Sequence, residues 1–105
     1  MRPLLHGDIS SAARALLKVR PAFRREHCLR LIEQAQAARV YCDKNGALHA
    51  LWGNGSLMSA ARKIDLPPEP TFDDARYREC FMVVLECLGT LRAHSVGNLR
   101  KDPEV

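Results

Sequence analysis

Residues 71–95 read TFDDARYRECFMVVLECLGTLRAHS, and their reading as one long helix decides the fold class. At about 100° per residue, Tyr77, Cys80, Phe81, Val83, Val84, Leu85, Cys87, Leu88 and Leu91 spread over roughly 200° of a helix circumference. Arg78, Glu79, Met82, Glu86 and Thr90 mark the wetter strip. An arc that wide demands neighbours on two sides, so the segment is expected to be a long, largely buried helix around which the other elements gather. Two starting frames are open. Asp73 as the cap puts Phe72 and Tyr77 in position for a hydrophobic staple, whereas Thr71 as the cap closes a box with Asp74.

Working outward, Pro67, Pro68 and Pro70 forbid helix just upstream and make a stiff connector. Before them, Leu57, Ala60, Ala61 and Ile64 keep helical spacing behind Ser56, which is placed to cap a short helix. Cys28, Leu31, Ile32, Ala35, Ala38 and Cys42 form a narrow apolar stripe on a second long helix. It opens near Pro21 and ends near Asp43 or Lys44, with Gly46 taking the left-handed conformation. Asn45-Gly46 is also a strong hairpin signal, so a small α+β alternative stands beside the helical reading. A short first helix is expected from Ile9 to about Val19, capped by Asp8, with Ile9, Ala13, Leu16 and Leu17 inward and Ser11, Arg14 and Lys18 outward.

These elements predict an all-α, four-helix single domain over residues 1–95, with two long and two short helices and a flexible tail over 96–105. Phe81, Val84, Leu85, Leu88, Leu31, Ile32, Leu16 and Leu17 are its expected core. A chain of 105 residues suits one domain with a real core. No apolar run approaches the about 18 residues of a membrane span, and MRPLLHGD lacks the apolar stretch of a secretory signal, so no membrane partner is expected and the cytoplasm is the expected compartment.

Chemistry-bearing motifs are few. Cys28, Cys42, Cys80 and Cys87 sit in helical patterns without CxxC spacing, and the histidines, His6, His27, His49 and His94, include no HExxH. Packed thiols, no metal site and no cofactor follow. No nucleophile with its base, and no carboxylate pair, stands out, so no catalytic residue is assigned and an enzyme is disfavoured.

Two candidate binding features remain. Trp52, Gly53, Asn54, Gly55 and Ser56 open a helix with free amides and small residues, an arrangement able to hold a small anion, although it is neither a phosphate loop nor a dinucleotide fingerprint. The rival reading is a tight turn with a buried Trp and a Ser cap. Residues 1–30 carry seven Lys and Arg against two acids, +5, while the remaining chain is −1. Arg14, Lys18, Arg20, Arg24 and Arg25 are therefore a candidate basic surface for nucleic acid or an acidic protein, against the rival of a merely solvated face.

LLHGDISSAARALL (4–17), WGNGSLMSAA (52–61) and the FDDARY lead into the last helix resemble a small uncharacterised family of alphaproteobacterial proteins, over Arg2 to about Leu91. The resemblance implies a bacterial cytoplasmic setting and supplies no catalytic residue. The functional expectation is a non-enzymatic interaction or adaptor domain that pairs as a homodimer through spare apolar surface of the last helix. Nucleic-acid binding through the basic third comes second, and small-anion binding at Gly53 to Ser56 third.

Overall fold

The computed structural model describes residues 2–99, with side chains as far as Leu91. Four helices follow one another: α1 (His6–Leu16), α2 (Arg24–Asn45), α3 (Leu57–Ala61) and α4 (Ala75–Leu99). No strand occurs among the described residues, and the fold is the expected all-α domain. α2 stops at Gly46, whose φ of 64° gives the left-handed turn and whose amide donates to the Cys42 carbonyl at 2.8 Å. Asn45-Gly46 is thus a helix end. The only pairing nearby is an isolated bridge between His49 and Gly53. Pro21 opens a 3-10 turn, Pro21–Phe23, that leads into α2.

α1, rather than α4, is the most enclosed element. Ser11, Ala12, Ala13, Ala15 and Leu16 are all essentially inaccessible to solvent, because α1 is covered by α4, α3 and α2. Its small Ala and Ser side chains let those helices approach closely, whereas Ser11 on an outer face was the expectation. α3 packs against α1 and α2 rather than α4. α4 consequently buries one side only: Tyr77, Cys80, Val84, Cys87 and Leu88 face the core, Phe81 is half-buried and Leu85 is 49% exposed; Leu17, just past α1, is half-buried as well. Among the expected core residues Leu85 is the one clear miss, because among the described residues no other helix covers that flank.

The frame of α1 also differs from expectation. The helix starts at His6, so Asp8 is its third residue and not its cap. The Asp8 carboxylate reaches back to accept the Leu5 amide on Oδ2 at 2.8 Å and across to accept the Met58 amide on Oδ1 at 2.9 Å. It is 3% exposed and joins the N-termini of α1 and α3. Gly7 completes the contact, since a Cβ there would lie 3.2 Å from Met58 Cε. At the other end, α1 stops at Leu16 instead of Val19. Arg24 Nε donates to the carbonyls of Leu16 at 3.2 Å and Val19 at 3.0 Å, placing a cation on the carbonyl end of the helix.

α4 is capped by Asp74, one residue later than the first expected frame. Asp74 Oδ1 accepts the amides of Arg76 at 2.9 Å and Tyr77 at 3.2 Å, and the Thr71 hydroxyl accepts the Asp73 amide at 3.3 Å. Phe72 still stacks on Tyr77, with centroids 5.4 Å apart. The proline connector is pinned from below. Arg14 Nε donates to the Pro67 carbonyl at 2.7 Å, Lys18 donates to the Asp65 carbonyl, and the Tyr77 hydroxyl donates to Glu69 at 2.9 Å. Burial, reinforced by the Glu69 carboxylate, pushes the Tyr77 phenol up to about 12. α4 runs to Leu99, past residue 96 where the tail is expected to begin; residues 100–105 lie outside the described residues.

Removing the Asp8 carboxylate leaves the amides of Leu5 and Met58 without their acceptor at the starts of two helices. Asp8→Ala should lower unfolding stability by about 2–4 kcal/mol in urea titrations, and Asp8→Asn, which keeps one acceptor oxygen, by roughly half that.

Candidate functional site

After Gly46 the chain folds back on itself through residues 47–55. His49 and Gly53 exchange backbone hydrogen bonds of 2.9 and 3.0 Å, and His49 Nδ1 accepts the amides of Leu51 and Trp52, both at 3.1 Å. That geometry leaves the ring proton on Nε2. The imidazole stacks on Trp52 at 4.6 Å with planes 3° apart, and Tyr41 meets it edge-on at 5.0 Å. One face of Trp52, the residue expected to stack on a flat ligand, is therefore already covered by His49.

Both glycines of the Trp52–Ser56 run have positive φ, 74° at Gly53 and 90° at Gly55. Their need for small size comes from the protein itself. A Cβ on Gly53 would sit 2.7 Å from Ser59 Cβ, and one on Gly55 would sit 2.7 Å from Arg39 Cα on α2. The polar groups of the turn are mutually engaged. Asn54 Oδ1 accepts from the Ser56 amide and the Ser59 hydroxyl, both at 2.9 Å, and Ser56 Oγ accepts the Ser59 amide at 3.1 Å as the cap of α3. Arg2 closes the far side, with Nε on the Asn54 carbonyl at 2.9 Å and its amide on the Gly55 carbonyl at 3.1 Å.

An anion at the start of α3 would occupy the place where Asp8 accepts the Met58 amide. The run thus forms a closed turn that docks α3 onto α1 and α2, with an internal carboxylate where an external one was envisaged. Two open depressions flank it and share Arg2: one of about 340 Å³ beside Arg39, Cys42, Asp43 and Leu48, and one of about 320 Å³ beside Leu5, Asn54, Ser56 and Met58.

The basic group expected from the N-terminal third is divided by the fold. Arg24 is 6% exposed, capping α1 and lying 3.8 Å from Glu79 of α4. Arg14 and Lys18 lean on the proline connector, while Arg20 and Arg25 are exposed elsewhere. Two cations beyond the N-terminal third complete a different grouping, Arg62 beside Arg14 and Lys63 beside Arg30. Adjacent positions on a short helix end, with no local motif, gave no signal for them in the sequence.

Cys28 and Cys80 are quiet thiols. Burial, and then the adjoining Cys87 thiol, push Cys28 far above the ordinary thiol range, and burial raises Cys80 as well. A thiol so placed has almost no thiolate to act as nucleophile at neutral pH. His27 binds its proton less tightly than usual, first through burial and then through Arg30 and Lys63; Lys63 is lowered by burial and by Arg30. Among the described residues, no group of three or more His, Cys, Asp or Glu is placed to hold a metal ion. No helix there is long and apolar enough to cross a membrane.

Fold and site together define a single-domain helical protein of unknown function. The chain belongs to the DUF7742 family, a domain of unknown function matched over residues 2–88. LLHGDISSAARALL and WGNGSLMSAA both fall inside that match, so the resemblance to an uncharacterised family is met at that level. No curated protein and no solved structure matches the chain.

The two reasons for glycine predict unequal costs. Gly55→Ala should lose about 3 kcal/mol or more in urea unfolding, through both its left-handed backbone and the clash with α2. Gly46→Ala, with open space around it, should lose only about 1 kcal/mol.

Proposed function

We propose that this protein is a non-enzymatic interaction module that pairs with a second copy of itself through the outer face of α4. One observation carries the reading: Met82 is 56% and Leu85 49% exposed on a helix whose opposite side is fully buried. Arg78, Met82, Leu85 and Gly89 follow one another at i, i+4, i+7 and i+11, which aligns them along a single strip. Phe81 borders that strip, and Phe72, 50% exposed, meets its ring edge-on at 5.1 Å. A Cβ added at Gly89 would meet nothing within 4 Å.

Apolar side chains aligned on a regular helix are better suited to a second helix than to a small molecule. Pairing like strips about a two-fold axis satisfies both copies at once and leaves no strip over. Gly89 supports close approach, because a glycine inside a helix costs about 1 kcal/mol relative to alanine and offers no side chain to hold neighbours apart.

A second apolar group, Val40, Tyr41, Leu48 and Leu51, lies exposed at the end of α2 and on the following turn. In an adaptor, that group is the surface left for a further protein once α4 is paired.

Sedimentation velocity at about 100 μM, a concentration that populates even a weak dimer, should show the wild-type protein as a dimer. Met82→Glu with Leu85→Glu should be monomeric with an unchanged helical circular-dichroism spectrum. A wild-type monomer at that concentration contradicts the proposal.

A further inference from the structure

Arg62 and Lys63 are consecutive, and because α3 packs on both α1 and α2 they open onto different neighbours. Arg62 meets Arg14 of α1 around an open depression of about 210 Å³ that also borders Ile64, Asp65 and Leu66. Lys18, one turn beyond Arg14, reaches the Asp65 carbonyl at its edge. On the other flank Lys63 donates to Gln34 of α2. His27, Arg30 and Gln34 lie at i, i+3 and i+7, on one side of that helix.

We propose that Arg14, Lys18, Arg62, Lys63 and Arg30 form one continuous face that binds the phosphate backbone of nucleic acid without reading its sequence. Five basic side chains come there from α1 and the residues just after it, from α2 and from the segment after α3, with Asp65 beside Arg62 and with Glu26 and Glu33 within one turn of Arg30. Glu26 lies 3.6 Å from Arg30, and among the described residues the other four cations make no ion pair. His27 and Lys63 hold their protons less tightly than usual, first through burial and then through repulsion from Arg30 and, for His27, from Lys63. A polyanion relieves that repulsion and gains by releasing its own counterions.

Cations brought together from three parts of the chain suit a repeating phosphate chain better than a single small anion. The face is also poor in the anchors that protein partners use: of the large exposed apolar residues, Ile64 alone lies in it. It shares no residue with the α4 strip, so the two proposals stand or fall separately.

The test is fluorescence anisotropy of full-length protein with a labelled, random-sequence DNA duplex of about 20 base pairs, long enough for several backbone contacts. Binding should weaken by about fortyfold to five-hundredfold between about 50 and 200 mM salt, the slope expected for about three to five phosphate contacts. Arg30→Glu, Arg62→Glu and Lys63→Glu together should reduce affinity at least about tenfold, and Arg62→Gln with Lys63→Gln, a milder change at exposed sites, should reduce it in the same direction. Arg20→Glu with Arg25→Glu should leave it within about twofold. No wild-type binding at low salt, or unchanged binding in both sets of variants at 30, 62 and 63, overturns the proposal. Equal affinity for polyglutamate overturns it in favour of an acidic protein.

Discussion

A single carboxylate sets the relation between the first helix and the middle of the chain. Asp8 accepts the Leu5 amide at the start of α1 and the Met58 amide at the start of α3, so one anion serves the positive ends of two helices. Each of those amides would otherwise be an unpaired donor at a helix end. Since α3 has only five residues, it has little stability of its own, and its position depends on this bond, on the Ser56 cap and on the contacts of Leu57, Ala60 and Ala61. With α3 held there, the turn before it closes, and Gly53 and Gly55 come against Ser59 and Arg39.

The same arrangement explains why α1 is central although it is short. Its Ala and Ser residues present a low surface that three helices can cover, and Arg24 then closes its carbonyl end from the first turn of α2. α4 is longer and more apolar, but α3 never reaches it. Among the described residues the outer strip of α4 is thus left without a neighbouring helix, and the proposed pairing of copies follows from where α3 is anchored.

Much of this fold was legible in the sequence. Helical periodicity gave the four elements, Gly46 and Ser56 marked an end and a start, and three prolines marked the connector. What sequence could not supply was the partner of each side chain. Asp8 before Ile9 has the pattern of a helix cap, and only the approach of Met58, fifty residues on, makes it a bridge between helices. Arg24 reads as one more surface cation until the carbonyls of Leu16 and Val19 are found above it. Leu85 shares the composition of its buried neighbours and is distinguished by the missing helix opposite it. For the candidate site, the Trp52–Ser56 turn was visible as a feature, whereas its internal hydrogen bonds depend on Arg2 and Ser59 arriving from other segments. The grouping of Arg62 and Lys63 with Arg14 and Arg30 is wholly tertiary.

The bridge made by Asp8 is accessible to one direct measurement, an acid titration followed by amide proton shifts in two-dimensional NMR. An amide bonded to a carboxylate shifts as that carboxylate takes up its proton. The Leu5 and Met58 amides should therefore move together and share one midpoint, and neither should respond in this way in Asp8→Asn. Independent midpoints, or a Met58 amide that ignores the titration, would show that Asp8 does not join α1 to α3 and would remove the basis for the arrangement described.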